Sequence, residues 1–224
     1  MTGARARRRQ QLDRQILEAG RTQLAQVGAA ALSVRAIARE LGMVSSAVYR
    51  YVASRDELLT RLVVASYDDL GDHVDAAVAA AADTPGERLR TAMHAFRAWA
   101  VAHPSEFALL YGSPVPGYSA PAEQTTGPGT RVIAVLLRLC TEAGLTAPAG
   151  LVVPAPLKAE LAAVAAEAGV DLPPGALVVT VTLWTWLIGA VGQEVFEGYG
   201  PDTFADPAGV FDAQLHWQLS AAGL

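Results

Sequence analysis

The sequence predicts an all-α protein, on three observations. Ala supplies 44 of the 224 residues and aromatic residues only 7 %, a balance that suits close-packed helices better than strands, which draw on Val, Ile, Thr and Tyr. Apolar residues recur at three- and four-residue spacing through most of the chain, the period of an amphipathic helix. Gly28, Gly42, Pro85 and Pro104 fall between these stretches, where they act as helix stops and starts. The length allows a small three-helix domain over residues 10–63, joined by a long helix to a larger helical domain over residues 64–224.

The elements follow in order. Gln10 to Val27 reads as a helix with Leu12, Ile16, Leu17, Leu24 and Val27 near one face, stopped by Gly28. Ser33 caps a second helix reaching Leu41, with Val34, Ile37, Ala38 and Leu41 at helical spacing, and Gly42 supplies the positive φ that ends it. Met43 and Val44 turn the chain into a third helix, Ser45 to Val52. Ser54 and Glu57 form a capping box for a fourth that runs towards Ala82.

Beyond Pro85, Gly86 to His103 is helical with Leu89, Met93, Phe96 and Ala100 on one face, and a short piece covers Ser105 to Tyr111. Gly112 to Gly129 has eight Gly or Pro in 18 residues, which reads as a loop. Helices are then expected over Thr130 to Ala143, Leu157 to Ala168, Pro173 to Tyr199 and Asp206 to Ala222.

Charge divides the chain more sharply than hydropathy. Residues 1–66 carry 11 Arg against 5 acids, while residues 67–224 carry 6 basic side chains against 17 acids. The net charge of −5 therefore conceals a basic first third that attracts polyanions through counterion release. The lone Cys140 excludes an internal disulfide and a thiolate zinc site, as a reducing cytoplasm would require. Arg5, Arg7, Arg8 and Arg9 are followed by Gln10, Gln11 and Asp13 instead of an apolar run, so no export signal is expected.

Ser33 to Val52 has helix-turn-helix spacing, with Ile37, Leu41, Val44 and Val48 as the seam and the small Ala38 allowing close approach. With Val44, Val48 and Val52 directed inward at i, i+4 and i+8, Ser45, Ser46, Tyr49 and Arg50 are left outward. Short polar and basic side chains of this kind reach base edges and phosphate oxygens in a major groove. A solvated polar face would look the same in isolation. The basic charge concentrated around the motif favours double-stranded DNA as its partner.

Residues 10–63, above all Ser33-Val-Arg-Ala-Ile-Ala-Arg-Glu-Leu-Gly42 and Val44-Ser-Ser-Ala-Val-Tyr-Arg-Tyr-Val-Ala-Ser-Arg-Asp-Glu-Leu58, resemble the N-terminal DNA-binding domain of TetR-type transcriptional regulators. Tyr51, Val52 and Arg55 stand where family members often have His, Phe and Lys. The resemblance implies that Ser33, Arg35, Tyr49, Tyr51 and Arg55 touch phosphates, with Ser45, Ser46 and Arg50 nearest the bases. The remaining two-thirds resembles the family's regulatory domain in helix number and order, and Trp184-Thr-Trp-Leu-Ile-Gly189 is similar to a Trp-and-Gly helix of one subgroup, with Ile188 in place of a frequent His.

The resemblance further implies a homodimer in which the helix from Pro173 and the last helix pair with their copies, spacing two recognition helices about 34 Å apart on a near-palindromic operator. It also implies a small-molecule effector. Met93, Phe96, Trp99, Phe107, Leu110, Tyr111 and Trp184, with Trp186 as an outer member, are of the type that lines apolar cavities, and His94, Arg97 and Gln193 could orient a ligand there. The expected activity is that of a repressor released from operator DNA by a small apolar ligand. A protein-interaction module and a ligand-independent DNA-binding activator are the alternatives.

Other chemistry finds little support. His73, His94, His103 and His216 form no ligand pair, no phosphate loop appears, and Cys140 has no activating neighbour, so no metal, cofactor or enzyme activity is expected. Glu194 and Glu197 read as a solvent-facing helix end. Leu172 to Gln193 is uncharged over 22 residues, long enough to cross a bilayer. Interspersed Thr and the absence of flanking Lys or Arg favour a buried interface helix over a membrane span.

Overall fold

The computed structural model describes residues 2–81, 84–200 and 202–224. Among them there is no strand; the chain forms helices α1 (Thr2–Val27), α2 (Val34–Glu40), α3 (Ser45–Val48), α4 (Arg55–Ala80), α5 (Pro85–Ala102), α6 (Pro104–Tyr111), α7 (Ala122–Gly129), α8 (Arg131–Glu142), α9 (Ala155–Glu167), α10 (Pro174–Val195) and α11 (Pro207–Ala221), with one 3-10 turn at Ala29–Ala31. They pack as two compact units. The first comprises residues 1–69 and 103–129, the second residues 70–102 and 130–224.

The first unit is built on Ile16, Leu24, Val34, Ile37, Val48, Val52, Leu58 and Leu62, all buried. Punctuation behaves as its chemistry requires. Gly28 and Gly42 take φ of 72° and 64°, a region that costs other residues a steric clash. The Ser33 hydroxyl accepts from the Ala36 amide, and the Ser54 hydroxyl from the Glu57 amide, while Glu57 reaches back to the Ala53 amide. Glu57 thus completes a capping box displaced by one residue.

Several expectations are corrected here. Val44 is 70 % exposed and does not belong to the inward stripe. It is the N-cap of α3, with extended backbone (φ −71°, ψ 139°), so the helical spacing from Val48 does not extend back to it; Met43 packs against the core instead. The third helix is regular only to Val48 and finishes as turns through Tyr51. Helix α1 begins eight residues before Gln10, and Val27, its last residue, is exposed. Helix α4 is assigned to Ala80; Ala82, where it was expected to reach, lies outside the described residues.

The Gly- and Pro-rich stretch is not all loop. Helix α7 forms within it because the Pro121 carbonyl accepts from the amides of Gln124 and Thr125 and from the Thr125 hydroxyl, closing a first turn before the glycines are reached. Helix α10 stops at Val195, short of Tyr199. The Gly198 amide returns to the Gln193 carbonyl around Glu197, whose φ is 53°.

In the second unit α10 is the central element, packing on α5, α8, α9 and α11. Ala176, Leu177, Thr180, Leu183, Leu187 and Val191 form its buried stripe, one turn apart. By length and composition it could cross a membrane. The opposite stripe exposes Val181, Thr182, Thr185 and Gly189.

Candidate nucleic-acid interface

The recognition segment is held from behind by apolar contacts and from its ends by polar ones. Val48 and Val52 are fully buried, which fixes the rotation of α3 and leaves Ser46, Tyr49 and Arg50 exposed with Ser45 and Tyr51 half-buried. At the start of α2, the Ser33 amide donates to Gln23 Oε1 at 2.5 Å, joining α1 to the cap of α2. Ser33 is half-buried and Arg35 exposed.

The arginines around the recognition segment fall into two groups. Arg55 Nη2 donates to the carbonyls of Ala29 and Ala30, each at 3.0 Å, and Nη1 lies 3.5 Å from Asp56. Arg61 contacts Asp13 at 3.3 Å and Glu57 at 2.6 Å and also donates to the Tyr51 carbonyl. Arg35, Arg39 and Arg50 are exposed and take part in no ion pair among the described residues. These three guanidiniums are left with water as their partner, which phosphate or guanine can displace. Arg61 was not singled out by sequence reasoning. Its spacing from Glu57 (i, i+4) was a signal for the pair, but not for the reach to Asp13.

The residues expected to line a ligand pocket are divided between the units. Phe107, Leu110 and Tyr111 belong to the first, where the Tyr111 ring meets Tyr67 edge-on at 6.1 Å and Phe107 at 5.2 Å. Burial pushes the Tyr111 hydroxyl far above its ordinary pKa, and Tyr67 in the same direction. Next to Tyr67, Ser66 is fully buried with a hydroxyl that has no hydrogen-bond partner among the described residues, a feature the sequence did not flag. Met93, Phe96, Trp99 and Trp184 belong to the second unit. The first three are buried, and Phe96 meets Trp184 edge-on at 5.6 Å.

The polar candidates are arranged differently from expectation. Arg97 forms a two-pronged ion pair with Glu194, so Glu194 is not a solvent-facing helix end. Gln193, the residue before it, is exposed. His94 Nδ1 lies 3.6 Å from Asp212 and its ring stands edge-on to Phe211, which Trp186 stacks on from 5.5 Å. Cys140 is buried, and that burial pushes its thiol up, with a hydrogen bond to Thr180 acting in the opposite direction. A thiol in such a setting is a poor nucleophile. No group of three or more metal-ligating side chains occurs among the described residues.

Comparison with known proteins agrees with this geometry. Residues 16–62 match the family described as bacterial regulatory proteins, tetR family, and residues 89–217 match the tetracyclin repressor-like C-terminal domain. The chain is 45 % identical over 216 residues to HTH-type transcriptional regulators of Mycobacterium tuberculosis and Mycobacterium bovis, covering 95 % of this chain and 92 % of each relative. The crystal structure of regulatory protein SCO4313 is similar with a TM-score of 0.80 and 34 % identity, over 96 % of this chain and 98 % of that one. PfmR, a TetR family transcriptional regulator from Thermus thermophilus, shares the fold at a TM-score of 0.54 and 19 % identity, over 92 % and 97 % of the two chains. Helix-turn-helix, flanking helices and second unit all lie within these matches: the chain belongs to the TetR family of bacterial transcriptional regulators, a family of DNA-binding proteins rather than enzymes.

Proposed function

We propose that this regulator is a cytoplasmic homodimeric repressor that leaves its operator when a small apolar molecule binds. The observation that carries the DNA reading is the outward face of α3, where Ser46, Tyr49 and Arg50 are exposed on a segment whose other face is fully buried. Ser45, Ser46 and Arg50 read bases, and Ser33, Arg35, Tyr49 and Tyr51 hold phosphates. Arg55 reaches the backbone only by giving up part of its hold on the carbonyls of Ala29 and Ala30.

The dimer is supported by the outer faces of α10 and α11. Val181 on α10 and Trp217 on α11 are 44 % and 66 % exposed, and no charged residue occurs on α10 before Glu194. A neighbouring apolar groove of about 210 Å³ is lined by Leu151, Val178, Val179, Thr182 and Ala221. Exposed apolar surface of this extent on two adjacent helices is stabilised by isologous pairing with a second copy.

The effector acts by population shift. Helix α4 carries Leu58 and Leu62 of the DNA-binding core at one end and Leu70 and Val74 of the second unit at the other, without a break. A ligand that prefers one setting of this helix biases the separation of the two recognition helices. The residues assigned to effector recognition are Met93, Phe96, Trp99, Trp184 and Gln193 in the second unit, and Phe107, Leu110 and Tyr111 in the first, two clusters to be tested separately.

Mobility-shift titration with duplexes selected in vitro by the protein tests the operator claim, since specific binding persists at salt that abolishes the non-specific kind. Calorimetry of an inducer identified by screening, against free and DNA-bound protein, tests the release. Equal affinity for the two forms would sink it.

A further inference from the structure

The opening turns of α1 are helical and, among the described side chains, none is buried. From Gly3 to Arg9 every described side chain is exposed, and the first buried residue of the helix is Ile16. Arg7, Arg8 and Arg9 stand on this overhang, and among the described residues none of them is ion-paired. The match to the family's N-terminal domain begins at residue 16, so it assigns nothing to this stretch. Three adjacent guanidiniums repel one another, a cost the overhang does not recover by packing.

Geometry says what lies beside them. Arg61 of α4 is bonded both to Asp13 of α1 and to the Tyr51 carbonyl at the end of the recognition segment. The base of the overhang is thereby tied to the edge of the DNA-reading surface. Arg9 sits one helical turn before Asp13, on the same side of α1, and Arg7 to Arg9 extend about 6–9 Å beyond Asp13 along the axis at ~1.5 Å per residue. Arginine side chains add a few ångströms to that reach.

We propose that Arg7, Arg8 and Arg9 are a second DNA-binding element that grips the phosphates flanking the bases read by the Ser45–Tyr51 segment. The inference rests on the reading of that segment as the base-reading face. Charge and shape favour a duplex over a lipid surface: residues 2–11 contain no apolar residue larger than Ala, so the overhang lacks the apolar face that an interfacial helix inserts. For every phosphate no longer neutralised, the dependence of log affinity on log salt should become shallower by about 0.9.

The experiment uses the full chain carrying Arg7→Gln, Arg8→Gln and Arg9→Gln, and a ~40-base-pair duplex selected in vitro by the unmodified protein, whole or trimmed of its flanks. The expected result is a salt slope shallower by about 2 or more, with unchanged thermal unfolding. Flank trimming should weaken the unmodified protein at least tenfold and leave the triple variant nearly unaffected. An unchanged slope, or equal losses on trimming, overturns the proposal while the recognition-segment reading stands. Loss of binding to phosphatidylglycerol vesicles with an unchanged DNA slope overturns it in favour of a membrane role. Failure of the unmodified protein to select any duplex overturns both readings.

Discussion

Arg97 of α5 and Glu194 of α10 form a two-pronged ion pair with side chains only 18 % and 16 % exposed, and the Arg97 guanidinium also lies 5.5 Å from the centre of the Phe211 ring. One charge therefore joins three helices of the second unit. Removing either partner leaves the other under-solvated. Arg97→Met or Glu194→Gln should lower stability by about 2–3 kcal/mol, below the range for fully buried pairs because water still reaches this one. Arg97→Met combined with Glu194→Gln should lose less than the sum of the two single losses, a double-mutant cycle read by denaturant titration.

Arg50→Ala removes an exposed side chain that supports no other residue among those described. Operator affinity should fall about 10- to 100-fold, equivalent to ~1–3 kcal/mol, and preference at one base pair should relax. Thermal unfolding should not move. Fluorescence anisotropy with a selected duplex and with single-base variants of it reads both effects.

Trp217→Glu should yield monomers. In the proposed homodimer a carboxylate at this position, 66 % exposed in the single chain, would be desolvated by the apolar surface it pairs with. Sedimentation velocity at micromolar concentration distinguishes the outcomes, and a variant that stays dimeric with unchanged affinity would remove α11 from the interface.

Cys140 supplies a pH test. Burial raises its thiol above the ordinary value of 9.0, so below that pH both the folded and unfolded chains hold the neutral form and ionisation does not favour either. As pH rises past it only the unfolded chain ionises, and stability should fall by up to ~1.4 kcal/mol per pH unit until the folded thiol also ionises. Cys140→Ala should flatten the stability profile between about pH 8.5 and 10. Native protein at about pH 8 should resist an aromatic disulfide reagent that reacts at once in denaturant.

Much of this was legible in the chain because local chemistry and tertiary packing agree. Ser33, Gly42 and Ser54 mark their turns whatever surrounds them, and Ile37, Ala38 and Val48 pack as their spacing dictates. Val44 escaped because a helix period says nothing of the residue that caps it. Helix α7 escaped because composition cannot reveal that one proline carbonyl will gather three donors. The engagement of Arg97 by Glu194, 97 residues apart, and of Asp13 by Arg61 are long-range pairings that no periodicity encodes.

The arginines around the recognition segment play two different parts. Arg55 and Arg61 are committed to protein oxygens, whereas Arg35, Arg39 and Arg50 are not. On the proposed reading, substitution of Arg50 changes which sequences are recognised without loosening the scaffold, whereas substitution of Arg55 or Arg61 also removes bonds to protein oxygens. A lineage built on this framework is free to acquire new target genes by drifting at a few solvent-facing positions, its architecture insulated from the change in vocabulary.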